Sequence, residues 1–265
     1  MMAVAHKKEI IRAFGQADHY QDHAHVQRQV AHHLASMVPS FARPTLLELG
    51  CGTGFLSQHL LERWPDSRLL CSDMALSMVQ RCRAHLGDRQ NVVYAVQDGE
   101  QPAIAPGSMD LIVASMVMQW FGDPLGSLAS LHDLLRPGGC LAFATLGPGT
   151  FREWQVACAD FGLPSGLVAY PTATAWQEAW PTPELACLEE TEVTVDHPSG
   201  LAFLRALRAI GAHRPAAGYQ PQSAGHLRRL LRHLEMGEGF AVRYQVLYGV
   251  FYKAGRAQFK EDAST

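Results

Sequence analysis

The chain has 265 residues, 48% of them hydrophobic, with 22 lysines and arginines against 25 acids and a net charge of -3. That length suits one large domain or a domain with a cap, and that apolar content excludes a disordered chain. The near balance of charge gives no global pull toward nucleic acid or an anionic membrane, and no run approaches the ~20 apolar residues of a bilayer span.

The opening MMAVAHKKEIIRAFG carries charges without the apolar core of a signal peptide behind them. Residues 6 to 38 read as helical and are rich in histidine. From Thr45 to Leu146 short β-rich runs alternate with helical ones. TLLELG, SRLLCSD, NVVYAVQD, MDLIVAS and GCLAFATL read as strands. FLSQHLLERW, LSMVQRCRAHL and SLASLHDLL between them have apolar residues at helical spacing. Such alternation predicts right-handed crossovers and a parallel sheet covered on both faces. Beyond Gly147-Pro148-Gly149, residues 150 to 186 are helical but poorly patterned. CLEETEVTVDH alternates like a half-exposed strand, LAFLRALRAIG and SAGHLRRLLRHLE read as amphipathic helices, and FAVRYQVLYGVFYKA closes as a long strand. We expect an α/β, doubly wound, mostly parallel sheet with an antiparallel C-terminal edge and a helical cap. Within that single domain, 1–44 is an N-terminal cap segment, 45–146 the ligand-binding core, and 147–265 cap helices and edge strands.

The six cysteines contain no C-x-x-C pair, which speaks against a zinc knuckle or a thioredoxin-like site. They sit mostly in apolar runs, as buried thiols do, and point to a reducing, cytoplasmic setting. His19 and His23 lie one helical turn apart, but no carboxylate or thiolate set completes a metal shell. No metal is expected.

The chemistry concentrates at Leu46-Leu47-Glu48-Leu49-Gly50-Cys51-Gly52-Thr53-Gly54, between the first strand and a helix. Glycines there permit a tight turn and let a ligand approach the main chain. The spacing is G-x-G-x-G rather than the G-x-G-x-x-G of dinucleotide sites, and Glu48, two residues before the first glycine, would repel a diphosphate but suit an ammonium. Asp73 ends the second strand about twenty residues on, where an acid in this topology accepts from ribose hydroxyls. It is equally placed to cap the following helix. Asp98-Gly99-Glu100 ends the third strand, where Asp98 suits an adenine amine or an ordinary polar turn. Three acids at three strand ends beside such a turn fit a nucleoside bearing an amino acid and no phosphate: S-adenosylmethionine.

These features make residues 45–146 similar to the class I methyltransferase core, including the turn Leu135-Arg136-Pro137-Gly138-Gly139 before the fifth strand. The resemblance implies that Glu48, Gly50, Cys51, Gly52 and Gly54 lie near the methionine moiety, Asp73 and Met74 at the ribose and adenine, and Asp98, Gly99 and Glu100 at the adenine edge. Ser115 would line the methyl-donor site, and Met78 and Gln119 complete the set. A narrower likeness extends outward. Phe14-Gly15-Gln16-Ala17-Asp18-His19-Tyr20, Val26-Gln27-Arg28-Gln29, Met118-Gln119-Trp120, Thr145-Leu146-Gly147-Pro148-Gly149-Thr150 and Phe203-Leu204-Arg205 leading to Ile210-Gly211-Ala212 resemble the malonyl-[acyl-carrier protein] O-methyltransferases of biotin synthesis. The chain departs from that pattern at Gln21 and at His213-Arg214-Pro215.

The resemblance implies that the free carboxylate of a malonyl thioester takes the methyl group. That carboxylate is ionised at neutral pH, so the reaction asks for alignment and a dry pocket rather than a general base. Tyr20 and Arg205 are the candidates to orient it, as phenol donor and planar guanidinium, unless they only pack or face solvent. Arg228, Arg229 and Arg232 form a small basic patch that would steer an acidic acyl-carrier protein or simply be a solvated face. The tryptophans at 154, 176 and 180 suit an acyl channel or, more commonly, cap packing. The alternatives are methylation of another small acid or a quinone precursor, a nicotinamide-dependent oxidoreductase, which Glu48 and the glycine spacing disfavour, and a non-catalytic nucleoside-binding protein, which would have lost one of the acids.

Overall fold

The computed structural model describes residues 2–16, 20–216, 218–235 and 240–255. Three helices lead in: α1 (Met2–Gly15), α2 (Tyr20–His23) and α3 (His25–Met37). The central unit then runs β1 (Thr45–Leu49), α4 (Phe55–Arg63), β2 (Arg68–Asp73), α5 (Leu76–Leu86), β3 (Val92–Val96), β4 (Met109–Ser115), α6 (Ser127–Leu134) and β5 (Leu135–Leu146). The C-terminal part comprises α7 (Arg152–Asp160), α8 (Ala173–Ala179), β6 (Ala186–His197), α9 (Gly200–Ala209), α10 (Ala224–Leu234) and β7 (Phe240–Tyr252). All seven strands join one sheet in the order β3-β2-β1-β4-β5-β7-β6. The first five are parallel, and β7 pairs antiparallel with both β5 and β6. This is the doubly wound sheet with an antiparallel C-terminal margin that the alternation predicts.

The period-2 geometry of strands sorts the core onto the two faces. Leu46, Leu111 and Val113 pack with α3, α4 and α5, whereas Leu47, Leu49, Ile112 and Ala114 pack with α6 and α8. Burial on both faces explains why β1 and β4 are almost uniformly apolar. Trp176 and Trp180 lie in the second layer against Phe143 and Phe251, as core residues of the sheet's lower face.

Two local expectations change. The turn Leu135–Gly139 does not precede β5 but lies inside it. Met109 pairs with Leu135 and Leu111 with Cys140, so the intervening residues loop out of the ladder. Pro137 has no N–H to give and Gly138 has φ +82°, which suits a bulge. Its flank is tied by Arg136, whose Nη1 donates to both oxygens of Asp110 at 2.8 and 2.6 Å. In the stretch 150–186, helix is confined to α7, α8 and a short 3-10 turn, and residues 163–172 run without regular structure between them. Pro164, Gly166 and Pro171 account for that interruption. Among the described residues no helix is long and apolar enough to cross a membrane.

Candidate active site

The glycine turn sits where β1 gives way to α4. Gly50, Gly52 and Gly54 have φ of +65°, +52° and +92°, a region that favours glycine. At Gly50 a Cβ would lie 2.4 Å from a methyl of Val117, so the loop after β4 presses directly on the turn. At Gly52 it would meet, among the described residues, only the Tyr20 hydroxyl, in ordinary contact at 3.9 Å. One glycine thus makes room for protein and the next leaves a bare main chain at a cavity wall.

That cavity lies outside the carboxyl ends of β1, β2 and β4 and is bounded by Gly50, Gly52, Asp73, Met74, Met78, Gly99 and Ser115 among others. Asp73 fixes its shape. Its Oδ2 accepts from the Gly52 N–H at 3.1 Å and its Oδ1 from the Ala75 N–H at 2.8 Å. The carboxylate therefore ties the glycine turn to the start of α5, which combines the two roles open to it from sequence. Burial raises its pKa, and these backbone donors partly oppose the rise. Each carboxylate oxygen retains further acceptor capacity beyond these bonds.

The roof is α1. Lys7, Ile10, Ile11 and Phe14, one face of that helix, close over the cavity. Lys7 Nζ donates to Asp98 Oδ2 at 2.7 Å and pairs with Glu100. Burial alone would lower the Lys7 pKa, but the two carboxylates outweigh it and raise it. Asp98 and Glu100 are thus engaged by a cation rather than open to the cavity, and Gln97 and Gly99 border it from that strand end. Lys7 is a site residue that sequence reasoning missed.

Glu48 lies elsewhere than expected. It is 1% exposed and does not border the cavity. Position 48 shares the face of Leu46, toward α4 and α5, so its Oε2 accepts from Ser57 Oγ at 2.5 Å and from Cys71 Sγ at 3.7 Å. Burial, followed by the neighbouring Cys82 sulfur, pushes its pKa up to about 8, so it is largely protonated at neutral pH. Cys51 and Gly54 also sit behind the turn rather than at the cavity, and all six cysteines are free thiols.

Past Ser115 the backbone takes a strained turn at Met116, with φ +55°. Met116 and Trp120 border the cleft and also a second, inner chamber toward the cap. Tyr20 and Phe14 do the same from the N-terminal side. Burial, then the negative Asp73, holds the Tyr20 phenol well above its ordinary pKa, so it remains a hydrogen-bond donor. Its ring stacks on Phe55 with centroids 6.3 Å apart. Gln119 borders the inner chamber rather than the cleft, its Nε2 donating to Met116 O at 2.9 Å and its Oε1 accepting from Thr145 Oγ1 at 3.2 Å. Gln27, from α3, brings a buried Oε1 without a hydrogen-bond partner to the same chamber.

Arg205 does not reach that chamber. On α9 Phe203 packs inward, while Arg205 is exposed and borders a surface depression with Arg208, Ala13 and Gln16. Gripping a substrate carboxylate inside the cap is therefore not a role this position allows. The motif Thr145 to Thr150 serves as a clamp: Gln245 Oε1 accepts from the Gly149 N–H at 2.6 Å and leaves no space for a Cβ at Gly147. It delivers Phe151, at φ +55°, into the chamber wall. Arg228, Arg229 and Arg232 are exposed on α10. His23 is described, but His19, with Ala17 and Asp18, lies outside the described residues. His32 meets His59 edge-on and His33 contacts Glu189 at 3.0 Å.

The cleft fits S-adenosylmethionine: a bare turn at Gly52, a carboxylate with spare lone pairs at Asp73, and apolar walls from Met74, Met78 and Phe121. Residues 47–141 match a family model described as a methyltransferase domain. Among solved structures, the YcgJ protein of Bacillus subtilis aligns with TM-score 0.61 at 12% identity, over 86% of this chain and 99% of that one. A Haemonchus contortus phosphoethanolamine N-methyltransferase in complex with S-adenosylhomocysteine aligns with TM-score 0.53 at 14% identity, over 85% and 52%. These likenesses give the fold, that of the S-adenosylmethionine-dependent methyltransferases. Among curated relatives, the biotin biosynthesis bifunctional protein BioCD of Bordetella avium is 40% identical over 240 residues, 89% of this chain and 50% of the relative. The malonyl-[acyl-carrier protein] O-methyltransferase of Magnetococcus marinus is 46% identical over 249 residues, 91% of each chain. The likeness thus runs through core and cap alike, and the chain belongs to the malonyl-[acyl-carrier protein] O-methyltransferase family.

Proposed function

We propose that this protein methylates the free carboxylate of malonyl-acyl-carrier protein, using S-adenosylmethionine as donor, and so makes the methyl ester for an early step of biotin synthesis. One observation carries the reading: Tyr20 and Trp120 border both the donor cleft and the inner chamber, so an acyl group in the cap meets the donor there. When bound, S-adenosylmethionine supplies an electrophilic methyl on a sulfonium. Asp73 would hold the ribose, the Gly50–Gly52 main chain would face the methionine part, and Met74, Met78 and Phe121 would flank the adenine. Ser115, in the cavity wall, would line the side of the methyl.

The chain's own task toward the acid is orientation. The malonyl carboxylate needs no base to ionise it. Tyr20, neutral by virtue of burial, donates one hydrogen bond to it without contributing a counter-charge that would blunt its nucleophilicity. Gln27 and Gln119 offer carboxamides at the same chamber. The aromatic walls exclude water, which lowers the barrier to a charge-neutralising transfer. The acidic carrier docks against basic surface on the cap side, where α10 presents Arg228, Arg229 and Arg232.

Mass spectrometry of malonyl-carrier protein incubated with S-adenosylmethionine and the enzyme tests this. The expected product is heavier by one methyl in place of one proton, with the gain on the malonyl group. A binder of S-adenosylmethionine that leaves every malonyl thioester unchanged would instead favour another small acid or a quinone precursor.

A further inference from the structure

The inner chamber is not the end of the passage. It shares Phe151, Tyr170, Leu207 and Ala212 with an outer groove that the extended stretch 163–172 walls on one side. That groove opens at His213 and Arg214, which it shares in turn with the surface depression holding Arg205 and Arg208. The spaces therefore adjoin one another in turn, from the donor cleft beside Tyr20, along apolar walls, to a rim of guanidinium groups.

Among the described residues Glu9 is the one carboxylate paired with this rim. Arg205 and Arg208 are one turn apart on the exposed side of α9. Arg214 is tethered to Glu9 only at 3.8 Å, and its Nε is buried without a hydrogen-bond partner. Burial, then the charges of Arg214 and Arg208, lowers the His213 pKa, as expected beside two guanidinium groups. In a protein of net charge -3 such a cluster is a local reversal of sign at the mouth of an apolar groove. The groove suits a long, thin, mostly uncharged acyl arm, and the rim suits a compact anion at its far end.

We propose that Arg205, Arg208 and Arg214 form the site for the phosphodiester that joins the acyl arm to its carrier protein, with the arm lying along the groove. This rests on the substrate reading above and gives it an entrance: the carrier approaches at the junction of α9 with α1, with α10 as flanking surface. His213 stands beside Arg214 on the rim.

The test is steady-state kinetics on three substrates: malonyl-carrier protein, malonyl-phosphopantetheine and malonyl-pantetheine, which lacks the phosphate. In Arg205→Gln/Arg208→Gln the KM for both phosphate-bearing substrates is expected to rise about tenfold or more with kcat little changed. The KM for malonyl-pantetheine should move less than about twofold by the same reasoning. Arg205→Lys/Arg208→Lys should recover part of the loss. Both positions are exposed, so the fold should tolerate either pair, and Arg214→Gln adds a third, independent variant. Equal effects on all three substrates, or none on any, would overturn the assignment while leaving the methylation reading intact. A wild-type enzyme that methylates none of the three removes the substrate reading and this assignment together.

Discussion

Asp73→Asn isolates the carboxylate that both builds the glycine turn and lines the cleft proposed for the nucleoside. In the wild type its two oxygens accept from Gly52 N–H at 3.1 Å and Ala75 N–H at 2.8 Å. An asparagine has one acceptor end. Whichever way its amide turns, an NH2 meets one of those backbone donors, so one charge-assisted bond is replaced by a donor-donor contact. Losing such a bond costs about 1.5–3 kcal/mol, and a ribose hydroxyl loses its charged acceptor as well. The cofactor-facing share is about 3 kcal/mol, or roughly a hundredfold in Kd. Calorimetric titration with S-adenosylmethionine and S-adenosylhomocysteine reads this directly, with thermal unfolding alongside to register the loosened turn. The burial-raised pKa adds a wild-type signature: affinity should start to fall, as pH is lowered, above the range of an ordinary aspartate. A Kd within threefold of wild type, with an unshifted unfolding temperature, would refute the reasoning.

Glu48 leads to a stability prediction whose sign follows from proton counting. Between its ordinary pKa of 4.5 and its folded value of about 8, the folded protein holds a proton that the unfolded chain has released. Stability therefore falls as pH rises through that window. Glu48→Gln removes the burden, so its Tm should exceed wild type at pH 8 and the gap should close toward pH 5; a constant gap would count against a neutral Glu48. Tyr20→Phe keeps the ring against Phe55 but removes the donor, and should lower kcat roughly 10- to 100-fold with the cofactor Kd little altered. An unchanged kcat in single-turnover assays would release Tyr20 from its orienting role. Lys7→Met cuts the polar fastening of α1 to Asp98 and Glu100, a part-exposed pair worth about 1 kcal/mol, so cofactor release should quicken about fivefold. Stopped-flow displacement with unchanged release would show that the roof is held by its apolar residues alone.

Much of the core was legible because it rests on local rules. Strand and helix periodicities located every strand and α-helix of 45–146, though not the 3-10 turn Met118–Trp120, and the distance from Gly54 to Asp73 placed an acid beside the turn. Two misplacements were avoidable by the same rules. Period-2 alternation puts Glu48 on the face of Leu46, away from the cavity, and the apolar side of α9 through Phe203 and Leu207 turns Arg205 outward. Lys7 was not legible in this way. Its partners lie 91 and 93 positions downstream, and nothing within α1 marks one lysine as buried against acids rather than solvated. The outer groove was hidden for a related reason: residues 163–172 have no period, and their walls exist only once α9 and the Pro215 segment pack opposite them.

The position of β7 bears on how the molecule comes together during synthesis. Among the described strands it comes last in the chain, yet it lies inside the sheet, between β5 and β6. Until it docks, β5 is an unpaired margin and β6 has no neighbour, so the stretch carrying α7 to α10 waits as a tethered appendage. Its pairing with β5 spans roughly a hundred intervening residues, a long loop to close and a slow event. The donor-binding half can thus assemble early, while the acceptor-selecting half depends on a late closure. Shortening the chain within Phe240–Tyr252 should leave a nascent product that recognises the nucleoside but exposes a sticky sheet margin.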